Sequence, residues 1–396
     1  LDKALRLASK NKKNDQIEEA KDIYQDILKK FPKHKQALAA LKLLSGGTAP
    51  ALLQDPPPNK LNSLVNLYNQ GQLKLALLHT SQLLESYPHS VILYNLAGAS
   101  NAGLMQFDAA IKSYKQALKI KPDYAEAYYN IGVTLKIMGN LPAAIESYEQ
   151  AIKINPDYAD AYNNMGLALQ EKGDVNAALK SFKKALSFKP DYAEAYNNMG
   201  VAQNSKGDPE SAIQSYKKAL NIKPIYPEAY NNMGIALKSQ GDLENALRSF
   251  KQALKIKSDY AEAYANMGNA LQGNGELEAA IKSYKQALNI KPDYADAYFN
   301  MGIALQDKGY LKSALDSFTI GLKIKPYDQQ YQSQKLYLQA RMCDWIGVGE
   351  DEALISELGT TNQHIDPFTM LALEDAPERH RLRSEIYSNH TFKQTP

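Results

Sequence analysis

The chain has one cysteine, Cys343, and one tryptophan, Trp345. A single thiol excludes an internal disulfide and suits a reducing compartment, so the expected location is cytoplasmic. Apolar runs are short. None approaches the roughly 18 residues of a membrane span, and no signal peptide is recognisable, so no membrane partner is predicted. Charge of one sign is scarce too: 46 basic and 43 acidic residues leave a formal net charge of +3. Such a balance does not build the basic field that nucleic-acid binding needs, and no nucleic-acid partner is expected. The six histidines form no metal-ligand spacing, so no metal is predicted. His380 and His390 are expected on the surface of the last helix. There is no strand-rich sequence and no glycine-rich phosphate loop; Gly347-Val348-Gly349 alone is too little. These residues predict no catalysis and no cofactor in this segment. The chain opens on Leu1, so it is expected to be a fragment.

What the sequence does have is repetition. The stretch Tyr124 to Gly132 returns as Tyr158 to Gly166, Tyr192 to Gly200, Tyr226 to Gly234, Tyr260 to Gly268 and Tyr294 to Gly302, a shift of 34 residues each time. A fixed period of that length marks a helical repeat array. Eight copies begin near residues 57, 91, 125, 159, 193, 227, 261 and 295, the first of them degenerate. Residues 1–44 follow the pattern in a worn form, with Ala20, Tyr24 and Pro32 in register. Residues 45–60, with paired glycines and Pro56-Pro57-Pro58, read as a linker. The main array then covers 61–328, and 329–396 is a tail.

Residues 125–158 serve as the worked copy. Asp123 and Glu126 are spaced as a capping box, as are Asp191 with Glu194 and Asp259 with Glu262. Tyr128, Ile131, Gly132 and Leu135 share one helix face. Gly139-Asn140 breaks the chain, a second helix carries Ala144, Ile145, Tyr148, Ala151 and Ile152, and Pro156 closes the unit. Gly132 and Ala144 are expected where two helices approach closely. Copy 261–294, with Gly268, Gly273 and Gly275, is expected to be the softest, since internal glycine weakens a helix by about 1 kcal/mol relative to alanine.

One residue of the repeat is not demanded by that core. At about 100° per residue, Asn130 lies about 200° from Tyr128, nearly opposite a core stripe centred near about 350°. Its equivalents are Asn164, Asn198, Asn232, Asn266 and Asn300. Copy 91–124 has Leu96 there, which is expected to end the row. A carboxamide offers donors and an acceptor that match a peptide bond. Helices about 8–10 Å apart would place one such group at about every third residue of an extended chain rising about 3.3 Å per residue. Duplication of one unit would equally copy an idle asparagine. The acidic Glu126, Asp160 and Glu194 read mainly as helix-start electrostatics.

The pattern Tyr128, Ile131, Gly132, Leu135, Ala144, Tyr148, Ala151, Pro156 resembles the tetratricopeptide (TPR) repeat. That resemblance implies an all-α, right-handed superhelix whose first helices line a concave groove. Departures are Asn101 and Gln203 for Leu135, Ser258 for the proline and Gly321 for Ala151. In the tail, a closing helix is predicted over 329–345, with Cys343 on its apolar face as a buried thiol. Glu350 to Leu358 forms a short helix, Pro367 to Asp375 a separate element, and Pro377 to about Asn389 a charged helix. Cys343-Asp344-Trp345, then Pro367-Phe368 to Leu373, then that charged helix, resemble the connector of bacterial SPINDLY-like proteins, relatives of the O-linked N-acetylglucosamine transferases. This second resemblance implies that Asn130, Asn164, Asn198, Asn232, Asn266 and Asn300 bind the backbone of protein substrates. It also implies a catalytic region after the connector that uses a UDP-sugar. A non-enzymatic scaffold, and an array serving a different enzyme such as a sulfotransferase, remain open, as does a homo-oligomer.

Overall fold

The computed structural model describes residues 4, 5, 7, 8, 17–32, 34–44, 55–350, 355–360, 365 and 377–391. It is all-helical, with no strand among the described residues. No helix among them is long and apolar enough to cross a membrane. The chain divides into two compact units, Leu1–Asp174 and Val175–Pro396.

The first unit holds α1 (Ile17–Lys30), α2 (Lys35–Leu44), α3 (Pro58–Asn69), α4 (Leu73–Ser86), α5 (Val91–Gly103), α6 (Phe107–Ile120), α7 (Ala125–Ile137), α8 (Leu141–Ile154) and α9 (Ala159–Glu171). The second holds α10 (Val175–Phe188), α11 (Ala193–Ser205), α12 (Pro209–Ile222), α13 (Pro227–Ser239), α14 (Leu243–Ile256), α15 (Ala261–Gly273), α16 (Leu277–Ile290), α17 (Ala295–Asp307), α18 (Leu311–Ile324), α19 (Gln329–Arg341), α20 (Trp345–Glu350) and α21 (Pro377–Thr391). Within each unit, helices consecutive in sequence pack on one another, α1 on α2 and then α3 through α9 in the first unit, and α10 through α20 in the second. Within each unit the first helices of neighbouring repeats also touch: α5 meets α7 and α7 meets α9, and α11, α13, α15 and α17 form a second such series. In the N-terminal region α1 and α2 pack on each other through Tyr24, Ile27, Leu28, Ala37 and Leu41. The expected linker ends earlier than its prolines suggest. Pro58 sits in the first turn of α3, where a missing N–H is no loss. Residues 45–54 lie outside the described ones.

The repeat packs around one joint. A Cβ on Gly132 would come within 2.6 Å of the Tyr148 ring, and one on Gly200, Gly234 or Gly268 equally close to Tyr216, Phe250 or Tyr284. Those rings are at most 1% exposed. Glycine in the first helix is therefore the notch that receives the aromatic ring of the second. Burial raises the phenol pKa of Tyr148, Tyr216 and Tyr284, so each ring is held neutral. The expected core stripe is displaced, however. Ala127 and Thr134 are almost fully buried, which pulls the covered arc of α7 toward its neighbouring first helices.

The capping box is not formed. The N-cap of α7 is Tyr124, not Asp123, and makes no side-chain cap; α11 and α15 likewise start from Tyr192 and Tyr260. Side-chain caps are found instead on second helices, where Asn140, Asp208 and Asp242 accept from the backbone N–H of Ala143, Ser211 and Asn245, and on the first helix α5, where Ser90 accepts from Leu93. Between the paired helices the chain passes through a left-handed residue every 34 positions: Gly71, Met105, Gly139, Gly173, Gly207, Gly241, Gly275 and Gly309. Glycine is favoured there because side chains are strained at positive φ, a strain that Met105 accepts at φ 61°. Gly275 thus belongs to the turn and Gly268 to the notch. Gly273 lies at the end of α15, where copy 91–124 has Gly103 at the end of α5.

The repeat does not stop after Pro326. α19 begins 34 residues after α17 and has the same 13-residue length, and α20 begins 34 after α18. The left-handed turn residue falls on Cys343, with φ 56°. This is a ninth unit, and it corrects the expected closing helix over 329–345. Cys343 is an exposed turn residue, not a buried helical thiol, and Trp345 is 60% exposed. Asp328 caps α19 through Gln330 and Tyr331. Gly321, which departs from the repeat pattern, makes room for the Tyr331 ring. Beyond α20, Leu336, Ile355, Leu358 and Ile365 form a small core. The buried Arg383 of α21 donates to the carbonyls of Leu358 and Ile355 at 2.7 Å each. The expected helix from Glu350 to Leu358 and the element from Pro367 to Asp375 fall largely outside the described residues.

Candidate peptide-binding face

Asn130 and Asn164 lie in the first unit, and Asn198, Asn232, Asn266 and Asn300 in the second, each in the middle of a first helix. All six are half-buried, not fully turned to solvent. In four of them a lateral hydrogen bond, which the angular count within one helix could not show, turns the side chain toward the neighbouring repeat. Asn130 Nδ2 donates to Asn95 Oδ1 at 2.9 Å. Asn164 donates to the Tyr129 hydroxyl at 3.0 Å, Asn232 to Asn197 at 3.1 Å and Asn266 to Asn231 at 3.0 Å. Each bond spans 35 residues, so it joins one first helix to the preceding one. The asparagine is thus not left over by packing. It ties neighbouring repeats together.

The partner position was missed in the sequence. Its signal is the doublet Asn231-Asn232, in which the first member accepts from Asn266 of the following repeat and the second donates to Asn197 of the preceding one. Leu96 does end the row, but Asn95 beside it still supplies the first acceptor. At the other end the seam changes. Ala265 has no polar side-chain group to offer, and among the described residues no hydrogen bond reaches the Asn300 side chain. One repeat further, Phe299 stands at the partner position and Gln334 at the asparagine position; the Gln334 carbonyl is buried without a hydrogen bond. Aromatic contacts take over here, with Phe299 4.9 Å from Tyr331 and 5.6 Å from Phe318 between centroids.

Acidic residues flank the seam. Glu126 accepts from Asn95 Nδ2 at 2.9 Å and from the Tyr124 hydroxyl at 2.8 Å. Glu194 pairs with Lys223 at 2.8 Å, and Asp296 with Lys325 at 2.6 Å. The hydrogen bond from Lys223 holds the Glu194 carboxyl below its usual range. The lysines that close each repeat also lie over the next tyrosine: Lys189 over Tyr192 at 4.2 Å, Lys223 over Tyr226 at 4.6 Å and Lys257 over Tyr260 at 4.9 Å. Much of the acidic charge beside the seam is therefore neutralised locally. Among the described residues, no three His, Cys, Asp or Glu side chains converge as a metal site requires.

What this face offers is a line of acceptors. In Asn130, Asn164, Asn232 and Asn266 the amide nitrogen is engaged with the neighbouring repeat, while Oδ1 accepts no hydrogen bond. A peptide N–H is the natural partner for such an oxygen.

Comparison with known proteins bears on the repeat itself. Profiles described as "TPR repeat" match residues 106–139, 134–173, 236–275 and 273–309, and profiles described as "Tetratricopeptide repeat" match 4–34, 157–225 and 215–248. No curated protein matches the chain. Among solved structures, MamA is 31% identical over 41% of this chain and 94% of its own, with a TM-score of 0.39. YrrB, described as a TPR protein with an unusual peptide-binding site, is 24% identical over 48% of this chain and 98% of its own, also at 0.39. The Cut9–Hcn1 assembly of the APC/C gives 17% identity and a TM-score of 0.53, covering 81% of this chain and 59% of the matched one, a likeness of fold alone. Nothing in these matches is specific to SPINDLY-like or O-GlcNAc transferase-like proteins. Taken together the matched segments span more than half of the sequence, and the chain belongs to the tetratricopeptide-repeat family.

Proposed function

We propose that the first-helix face binds an extended polypeptide, and that this grip recruits protein substrates to a nucleotide-sugar-dependent O-glycosyltransferase. The observation that carries the first part is the row of asparagine Oδ1 atoms left without hydrogen bonds on adjoining first helices. Each asparagine is held by its neighbour through Nδ2, so the free oxygen is pre-oriented at little entropic cost. Such contacts read backbone and tolerate varied side chains. The second part is supported by the resemblance of Cys343-Asp344-Trp345 and the residues after it to a SPINDLY-like connector. On that reading a UDP-sugar would be handled by a catalytic region joined to this chain, and this chain would supply no reacting group.

Titration of the chain with fluorescently labelled unfolded polypeptides tests the grip. Binding is expected, and a variant with Asn164, Asn198, Asn232 and Asn266 changed to alanine is expected to bind at least about tenfold more weakly. Unchanged affinity in a variant that keeps its helical content would remove the asparagines from the mechanism. The coding sequence that follows Pro396 tests the rest. A two-lobed nucleotide-sugar transferase in frame supports it. A different catalytic domain, or none, favours the scaffold reading.

A further inference from the structure

The net charge of +3 conceals a sharp separation in the second unit. Its second helices, α10, α12, α14, α16 and α18, carry twelve lysine and arginine residues against four acidic ones. Its first helices α11, α13, α15 and α17 carry five acidic residues against Lys238 alone. All twelve cations are exposed. Lys217, Lys251, Lys282 and Lys285 have no carboxylate partner among the described residues, while Arg248 pairs only with Glu244, one turn away on its own helix. In the first unit the separation is weaker: α4, α6 and α8 together carry five lysines against four acidic residues.

A second, independent feature lies on this basic face. Between α12 and α14 there is a cleft of about 500 Å³, within the about 300–1,000 Å³ typical of ligand clefts. Its floor is apolar, made by Ile213 of α12 and by Tyr230, Met233 and Leu237 of α13, which runs beneath the two second helices. Lys217 and Arg248 stand on opposite rims, and Glu210 and Asp242 close one end.

We infer that this cleft docks an acidic segment of a partner protein, which inserts a large apolar side chain between α12 and α14 and sets its carboxylates against Lys217 and Arg248. Glu210 and Asp242 repel acid from one end and so orient the segment. Nucleic acid fits less well. Base stacking needs exposed aromatic platforms, and the rings of the two helices that frame the cleft, Tyr216 and Phe250, are at most 1% exposed. A bilayer fits less well too, because the apolar surface is recessed at the floor instead of raised on a ridge that could insert. This surface is distinct from the asparagine row, so two polypeptides could be held at once.

The test is fluorescence anisotropy with the full chain and a short labelled peptide alternating glutamate with leucine and phenylalanine. Binding is expected, weakened about tenfold between low and moderate salt as the rim charges are screened. The double variant Lys217→Glu with Arg248→Glu is expected to lose at least about tenfold in affinity. Lys115→Glu in the first unit is expected to leave it unchanged. Circular dichroism of each variant checks that the helices persist. The inference is overturned if the double variant binds normally, or if a glutamate–serine peptide binds as well as the apolar one. Competition by anionic phospholipid vesicles or a single-stranded oligonucleotide at lower concentration than the peptide would overturn it as well.

Discussion

The middle of the second unit and its C-terminal end are built on the same backbone, yet their seams differ. In the middle, Asn232 and Asn266 bond to Asn197 and Asn231, and each glycine notch receives a ring from its own repeat. At the end, Ala265 and Phe299 replace the amide partners, the Asn300 side chain has no hydrogen bond among the described residues, and Tyr331 reaches back across the repeat boundary to the space left by Gly321. The lesson is that a 34-residue period constrains shape more tightly than it constrains chemistry. Polar ties and aromatic stacking both hold adjacent first helices, and the array changes from one to the other without changing helix length.

Four experiments would break or sharpen that contrast. The largest effect is expected at the end. Tyr331→Ala empties the space beside Gly321 and removes the contacts to Phe299 and Phe318. A loss of about 3–5 kcal/mol is expected, seen by hydrogen exchange as early opening of α19 and α20 while α11 to α14 stay protected. Uniform loss of protection would show that the ninth unit is no separate region. Next, Gly234→Leu drives a side chain into the Phe250 ring, 2.6 Å from the Cβ position. Overpacking should lower stability by about 1–3 kcal/mol in denaturant titration.

A smaller effect separates the two seams directly. Asn232→Ala removes a bond to Asn197, for which about 0.5–1.5 kcal/mol is expected. Asn300→Ala removes none, so thermal melts of the two variants should differ. Equal shifts would dissolve the comparison. The smallest is a pH dependence. Burial, aided by nearby carboxylates, pushes the Tyr226 and Tyr260 phenols from 10.0 up to about 12. A raised pKa in the folded state means stability that is complete below pH about 10 and falls as the phenols ionise toward pH about 12. Tyr226→Phe combined with Tyr260→Phe should flatten the alkaline end of the curve, measured as Tm against pH.

Much of the fold was legible beforehand, because its determinants are local and repeated. Glycine notches, alanine contacts and turn glycines recur at one spacing, and each recurrence confirms the others. The ninth unit was not legible, since Gln329–Arg341 keeps the length and register of a repeat while losing its letters, and Cys343 stands where glycine usually turns the chain. The capping boxes were read from a spacing that local geometry did not use, because the helix begins at the tyrosine one residue later. Of the candidate face, the asparagines and their mid-helix position were legible. Their lateral bonds were not, for a pattern within one helix holds no information about which residue of the next helix lies beside it.

The 34-residue period by itself determined helix lengths, turn positions and the glycine–aromatic joint, since each depends on residues adjacent in sequence or within one helical hairpin. Only the tertiary structure decided what surrounds each asparagine and how charge is divided between the faces. Both depend on side chains brought together from different repeats, and the net charge of a chain does not say on which side of a helix each charge falls.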